Sequence, residues 1–367
     1  MSGGPAGLEQ WLARRYEVDA ALLLDSGTSA LRLAVESLAT ATAPAVRVAL
    51  PAYACYDLAT AAAGAGAEVS FYDVDPATLG PDWASLSAAL SAGAVAVVLV
   101  HQYGIPVDLD RARALCDAHG AAVIEDAAQG AGAWWRHRRL GASGDLGILS
   151  FGRGKGMTAG GGGALLATGP RGRDLLDACR SRVARGGPGI GSWIRLVAQA
   201  LLSHPMVYGI PAGMPWLGLG ETPYHEPWLP RAIDAAEAGV IQSAADLADR
   251  EADIRRDAAA RLGLVLRDHA GVSPVRAPAG DGIRPGWLRY PVLLDAQDRL
   301  RIGTAPLGRL GIVAGYPLPL ARLPQLRAAG IGDWPGATRL AKELVTLPTH
   351  HWVSDRDRAA MGRLLSR

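Results

Sequence analysis

Residues 94–129 read AVAVVLVHQYGIPVDLDRARALCDAHGAAVIEDAAQ, a stretch that changes character twice. Residues 94–104 form a valine-rich apolar run, 108–120 read as a helix, and 121–128 return to an apolar run that ends in acids. Near-continuous apolar strands joined by a helix of this length belong to a parallel sheet covered on both faces. The same alternation extends outward in both directions. Toward the N-terminus, 20–25, 46–51 and 68–75 read as strands, with helical stretches after Ser26 and Tyr56; toward the C-terminus, 147–152 and 163–168 read as strands. The expected fold class is α/β, with a mostly parallel central sheet and ligands at the strand ends.

The length of 367 residues favours one large domain and one smaller one. The expected division places the large α/β domain at 1–230 and a linking helix plus a small α+β domain at 231–367. Within the first of these, 185–230 is rich in Gly, Pro and Trp and reads as loops around one short apolar helix. Its apolar part, 192–219, reads as dimer interface or active-site wall rather than membrane contact. A polar amphipathic helix over roughly 232–262 is long enough to bridge the domains. The net charge of +2, with arginines scattered along the chain, gives no ground for nucleic-acid binding. Three cysteines without metal or disulfide spacing point to a reducing cytoplasm and to no metal site. No signal core and no run of eighteen apolar residues is found, so neither export nor a membrane span is expected.

The chain has two lysines against thirty-five arginines, and one of the two, Lys155, lies in SFGRGKGMTAGGGG (150–163), with seven glycines around it. A phosphate-cradling P-loop is excluded, because position 149 is Leu and position 156 is Gly. Two readings remain at this point: a surface lysine on a loop, or a lysine that forms a Schiff base with a cofactor and whose site lowers its pKa. Pyridoxal 5′-phosphate would make three further demands. Its ring nitrogen needs a buried acid, and Asp126 follows the apolar run 121–124, although alone it could equally be an exposed strand-end acid. Its phosphate needs amide N–H groups at a helix start together with hydroxyls, which Ser26, Gly27, Thr28, Ser29 and Ser150 supply, although a simple N-cap has the same pattern. Its ring needs a neighbour on its face, for which Tyr53, Cys55 and Tyr56 are candidates. The chain order of phosphate loop, ring neighbour, acid and lysine is far more specific than any one of these features.

These residues resemble the DegT/DnrJ/StrS family of PLP-dependent sugar aminotransferases, of fold type I. The resemblance runs through SGTSAL (26–31), LPAYACYDLATAAAGAGAEVSFYDVDPATL (50–79), VLVHQYGIPVDLDRARALCDAHGAAVIEDAAQGAGA (98–133) and GASGDLGILSFGRGKGMTAGGGGALLAT (141–168). It implies that Lys155 holds the cofactor and later moves the substrate proton, that Asp126 pairs with the pyridinium nitrogen, and that Gln129 lies near the 3-oxygen of the ring. It also implies that Gly27, Thr28, Ser29 and Ser150 bind the phosphate and that Cys55 stands at the ring-facing position, where the family usually has an aromatic residue. The family carries an acid where this chain has Gly161, and an Asn where it has Gly156. The implied activity is ping-pong transfer of an amino group, from glutamate, to a ketone of a nucleotide-linked sugar by a homodimer with shared active sites. Altered chemistry on a non-sugar natural-product intermediate and a non-catalytic PLP-binding protein are the alternatives.

Overall fold

The computed structural model describes residues 5–39, 46–186, 224–267, 269–295, 310–326 and 332–365, together with Trp193, Leu196, Arg299 and Gly308. In chain order the first elements are α1 (Pro5–Tyr16), β1 (Ala20–Leu24), α2 (Gly27–Glu36), β2 (Arg47–Pro51), α3 (Asp57–Gly64), β3 (Glu68–Tyr72), α4 (Trp83–Ser91), β4 (Ala96–Val100), α5 (Leu109–Ala118) and β5 (Ala122–Asp126). A short hairpin of β6 (Trp134–Trp135) and β7 (Arg138–Arg139) leads to β8 (Leu146–Ser150), β9 (Gly163–Ala167) and α6 (Gly169–Arg180). Then follow α7 (Ala235–Leu266), β10 (Val272–Pro274), β11 (Tyr290–Leu294), β12 (Val313–Ala314), α8 (Pro335–Glu343), β13 (Leu344–Leu347) and α9 (Asp355–Leu365).

Seven strands form one sheet in the order β1-β9-β8-β5-β4-β2-β3. Only β9 runs against its neighbours, pairing antiparallel with both β1 and β8. The β4–β5 register sets Val98 opposite Ile124 and Val100 opposite Asp126, and β8 continues it with Ile148 opposite Asp126. The side chains of β5 are buried throughout, as the unbroken apolar run predicts. The run 94–104 yields a shorter strand than its composition implies, because the chain turns into a single 3₁₀ turn at Gln102–Gly104, with Tyr103 held at φ 55°. α6 begins GPRG, and its proline is compatible with the first turn of a helix, where no amide donor is needed.

α7, with 32 residues, has close to the length that the pattern at 232–262 implies, but lies a few positions farther along the chain. Its N-terminal half packs Ile241, Ala245 and Ala248 into the core beside the seven-stranded sheet. Its C-terminal half buries Ala259, Leu262 and Leu266 against β11 and β13. Asp249, between the two, accepts from Arg15 and from both terminal nitrogens of Arg139, each at 2.8 Å. The second sheet is antiparallel, in the order β10-β11-β13-β12. The loop-rich reading of 185–230 and the interface reading of 192–219 fall largely outside the described residues. Among those that are described, no helix is long and apolar enough to cross a membrane.

Candidate active site

The C-terminal ends of β5 and β8 meet the starts of α2 and α3 around a small cavity. Gly27, Thr28, Cys55, Asp57, Asp126, Ser150 and Lys155 all line it. Six of the eight residues singled out in the sequence therefore converge, although they come from four separated segments. Local chemistry explains the α2 corner. Ser26 caps the helix by accepting the Ser29 N–H at 3.0 Å, which leaves the Gly27 and Thr28 end of the turn facing the cavity. Gly27 is there for proximity: a Cβ on it would stand 2.9 Å from the Ser150 Cβ, so only glycine lets the end of β8 approach the helix start so closely. The other two residues lie apart. Ser29 is buried and hydrogen-bonded to Ser26, and it lines a separate crevice with Arg32 and Thr60. Gln129 lines a larger neighbouring cavity, and its Oε1 accepts the Tyr103 N–H at 2.6 Å.

Two adjacent carboxylates on β5 face opposite sides of the sheet. Glu125 is fully buried and accepts from the N–H groups of Gly141, Ser143 and Gly144, and it pairs with His101 Nε2 at 3.0 Å. His101 Nδ1 accepts the Val107 N–H, which fixes the proton on Nε2. Burial works to raise the Glu125 carboxyl, but these donors outweigh it and hold the group below the ordinary glutamate range. Asp126 has one donor, the Ala128 N–H at 2.9 Å on Oδ1, and Oδ2 takes no hydrogen bond among the described residues. Burial therefore prevails and raises its pKa.

Lys155 shares its cavity with Asp126 and with a second acid that sequence reasoning missed, Asp57. Burial acts to lower the lysine, but Cys55, Asp57 and Asp126 together outweigh it and raise its pKa. The lowering that Schiff-base chemistry requires thus does not come from this chain's side chains; it needs the acids around the lysine to be engaged elsewhere. Asp57 accepts the Cys55 thiol at 3.4 Å, and burial with that charge pushes the thiol up to about 12. Neither tyrosine candidate lines the cavity. Tyr53 and Tyr56 pack on Tyr316, with ring centroids 5.6 and 5.7 Å apart, and the Tyr56 hydroxyl donates to Leu318 O. Tyr316 itself lies beside the Cys55 thiol, so an aromatic ring reaches this corner from the C-terminal third of the chain.

The glycine loop after the lysine shows a further exchange. The space that a Gly161 side chain would fill holds the carboxylate of buried Glu237 from α7. The acidic group absent from the loop thus arrives from a helix.

The family description "DegT/DnrJ/EryC1/StrS aminotransferase family" matches residues 5–184. Over that span the chain belongs to this family. It is accordingly an enzyme of the aminotransferase class, in a family whose aminotransferases depend on PLP. The chain is 27% identical over 325 residues to the "Pleiotropic regulatory protein" of Geobacillus stearothermophilus, covering 88% of this chain and 78% of that one. It is 28% identical over 346 residues to the dTDP-3-amino-3,4,6-trideoxy-alpha-D-glucose transaminase of Streptomyces venezuelae, covering 93% and 81%. Among solved structures, the aminotransferase TlmJ from Streptoalloteichus hindustanus superposes with a TM-score of 0.76 at 26% identity, covering 99% of this chain and 89% of that one. The fold is fold type I.

Proposed function

We propose that this family member transfers an amino group from glutamate to a ketone on a sugar-like acceptor, with PLP held in the cavity of Lys155 and Asp126. The observation that carries the reading is that a lysine and a buried, under-bonded carboxylate meet at the N-terminus of α2 in one cavity. The donor set fits the group. Asp126 has a free oxygen for the ring nitrogen, the start of α2 offers amide donors for a dianion, and Gly27 leaves that cradle open. When bound, the cofactor supplies the electron sink for the carbanion formed at the substrate Cα.

The protein's own groups then divide the work. Lys155 tethers the cofactor and, once released, carries the proton to and from the substrate Cα. Asp126 keeps the ring nitrogen protonated, a task for which an acid with no competing donors on Oδ2 is suited. Thr28 and Ser150 add hydroxyls to the phosphate cradle, with Ser29 behind them as part of the capped turn. Gln129 has its Oε1 engaged by Tyr103, so its NH₂ remains to donate to the 3-oxygen. Cys55 faces the ring, a smaller neighbour than an aromatic one. The acceptor assignment draws on the S. venezuelae relative, whose name specifies a nucleotide-linked amino sugar. A homodimer with shared sites, a cytoplasmic location and a domain division near residue 230 complete the proposal.

The regulatory name of the Geobacillus relative favours a second reading, in which the chain binds PLP without turnover. One experiment separates the two. Borohydride reduction of the PLP-loaded protein should attach the cofactor to Lys155, as peptide mapping would read. Glutamate should then convert the loaded protein to its amino form, and a keto-sugar nucleotide should restore it. Lys155→Ala should abolish both half-reactions. Covalent capture at Lys155 without either half-reaction would establish the second reading, and response only to non-sugar ketones would move the acceptor to another class.

A further inference from the structure

The Lys155 cavity holds one acid more than the proposed duties use. Asp126 is committed to the ring nitrogen, yet Asp57 lines the same small cavity. It is the first residue of α3, whose N-cap position, Tyr56, makes no side-chain hydrogen bond to the helix. The positive end of a helix favours a carboxylate in its first turn. On Asp57, Oδ2 accepts the Cys55 thiol at 3.4 Å, and Oδ1 accepts no hydrogen bond among the described residues. Lys155 donates its backbone N–H to Gly152 O, and its side chain has no hydrogen-bond partner among the described residues. The flexible four-carbon stem leaves the amine free to turn toward either acid.

The titratable groups around the lysine are few. Cys55 and Asp57 face it from the turn into α3 and Asp126 from the end of β5, while α2 and β8 contribute only neutral side chains, Thr28 and Ser150 among them. On the outer side of the loop Arg255 of α7 stands against Gly156, and Arg153 of the loop itself is exposed. Burial acts to lower Lys155, and Cys55, Asp57 and Asp126 outweigh it. The Cys55 thiol, pushed up to about 12, is neutral near pH 7, so the lasting negative charge beside the lysine is that of the two carboxylates.

We propose that Asp57 is the counter-ion of Lys155 whenever the lysine is free of the cofactor. This rests on the aminotransferase reading above, which asks the lysine to exist in two states. Bonded to the cofactor, its nitrogen shares one positive charge with the group it holds. Released, it is a separate amine that takes the proton from the substrate Cα and becomes an ammonium. Asp126 does not answer that second charge, because the ring nitrogen holds its open oxygen in both states. Asp57 Oδ1 remains, and an opposite charge at close range favours the charged form of an amine. Asp57 thus acts through the lysine. It stabilises the amine while it carries the proton, and it favours the released lysine over the bonded one.

The scarcity of lysine makes the test readable, since the other lysine, Lys342 on α8, is exposed and serves as an internal reference. The full chain without cofactor is acetylated with an N-hydroxysuccinimide ester across a range of pH, and peptide mapping compares Lys155 with Lys342. Only a neutral amine reacts. Removing the acid lowers the lysine pKa, so at a fixed pH below that value Asp57→Asn should raise Lys155 labelling relative to Lys342 by about 10-fold, the scale of losing one close opposite charge. Asp57→Ser should move it the same way, and Asp57→Glu, which restores the charge, should keep the parental profile; melting curves confirm that the variants fold. In the PLP-loaded protein, at a fixed ratio of glutamate to 2-oxoglutarate, Asp57→Asn should shift the half-reaction by about 10-fold toward the lysine-bonded form, read by absorbance. An unchanged Lys155 labelling profile in the folded Asn and Ser variants would overturn the proposal, as would an unchanged half-reaction equilibrium. A labelling shift in a protein that gives no half-reaction with glutamate or another amino donor would instead overturn the aminotransferase reading and leave Asp57 as the partner of the free lysine.

Discussion

Glu125 and Asp126 are neighbours on one strand, both buried, yet their environments oppose each other. Glu125 faces a side of the sheet where three amide N–H groups and the His101 Nε2–H satisfy it. Asp126 faces the other side, where one amide serves it. The shared burial cost is the same kind in both; the number of donors decides the sign of the pKa shift. Glu125 is thereby a structural bolt that fixes the 141–144 turn and the end of β4. Asp126 is an acid kept short of partners at the mouth of a cavity, the state in which a ligand can complete it. Burial of a charge alone does not identify a functional acid; the unfilled hydrogen-bonding capacity does.

The contrast can be broken most directly at Asp126. Asp126→Asn should lower kcat by about 100- to 1,000-fold, the range seen when one electrostatic stabiliser is removed, while the melting temperature stays close to that of the parent. Wild-type turnover in that variant would put the two carboxylates in the same structural class. Glu125→Gln should do the reverse. Its NH₂ cannot accept, so the variant should lose roughly 1–3 kcal/mol of stability in urea titration while retaining cofactor capture at Lys155. A Glu125→Gln protein with native stability but no cofactor would reverse the assignment. The smallest effect is in acid. Glu125 has a folded pKa below its unfolded one, so its contribution is present above about pH 4.3 and is lost as pH falls through the folded value. Asp126 has a raised pKa, so acid relieves a penalty there. Below pH ~4.3 the parent should therefore lose more stability than Glu125→Gln does, and Asp126→Asn should lose at least as much as the parent.

Much of the Lys155 cavity was legible because its members sit at the ends of strongly patterned local elements. The run before Asp126 specifies a buried strand, and SGTS before an amphipathic helix specifies a capped turn. The acid Asp57 was not singled out, since an acid in the first turn of a helix is ordinary in sequence and becomes unusual only when that helix points at a lysine. Ser29 and Gln129 lie apart from the Lys155 cavity for reasons that local pattern does not carry: Ser29 is tied to the Ser26 cap and Gln129 Oε1 to the Tyr103 N–H.

Sequence by itself determined the alternating α/β architecture, because strand and helix periodicities are written within a few residues of each other. It also singled out Lys155, one of two lysines in an arginine-rich chain, and Asp126, at the end of an apolar run, as candidates whose joint order along the chain was more specific than either alone. Tertiary structure alone decided which acids surround the lysine, that Tyr316 reaches Cys55 from the C-terminal third of the chain, and that Glu237 fills the space beside Gly161. Those contacts join segments far apart in the chain, where hydrogen-bond capacity and packing space are fixed by the fold and leave no periodic trace in either segment.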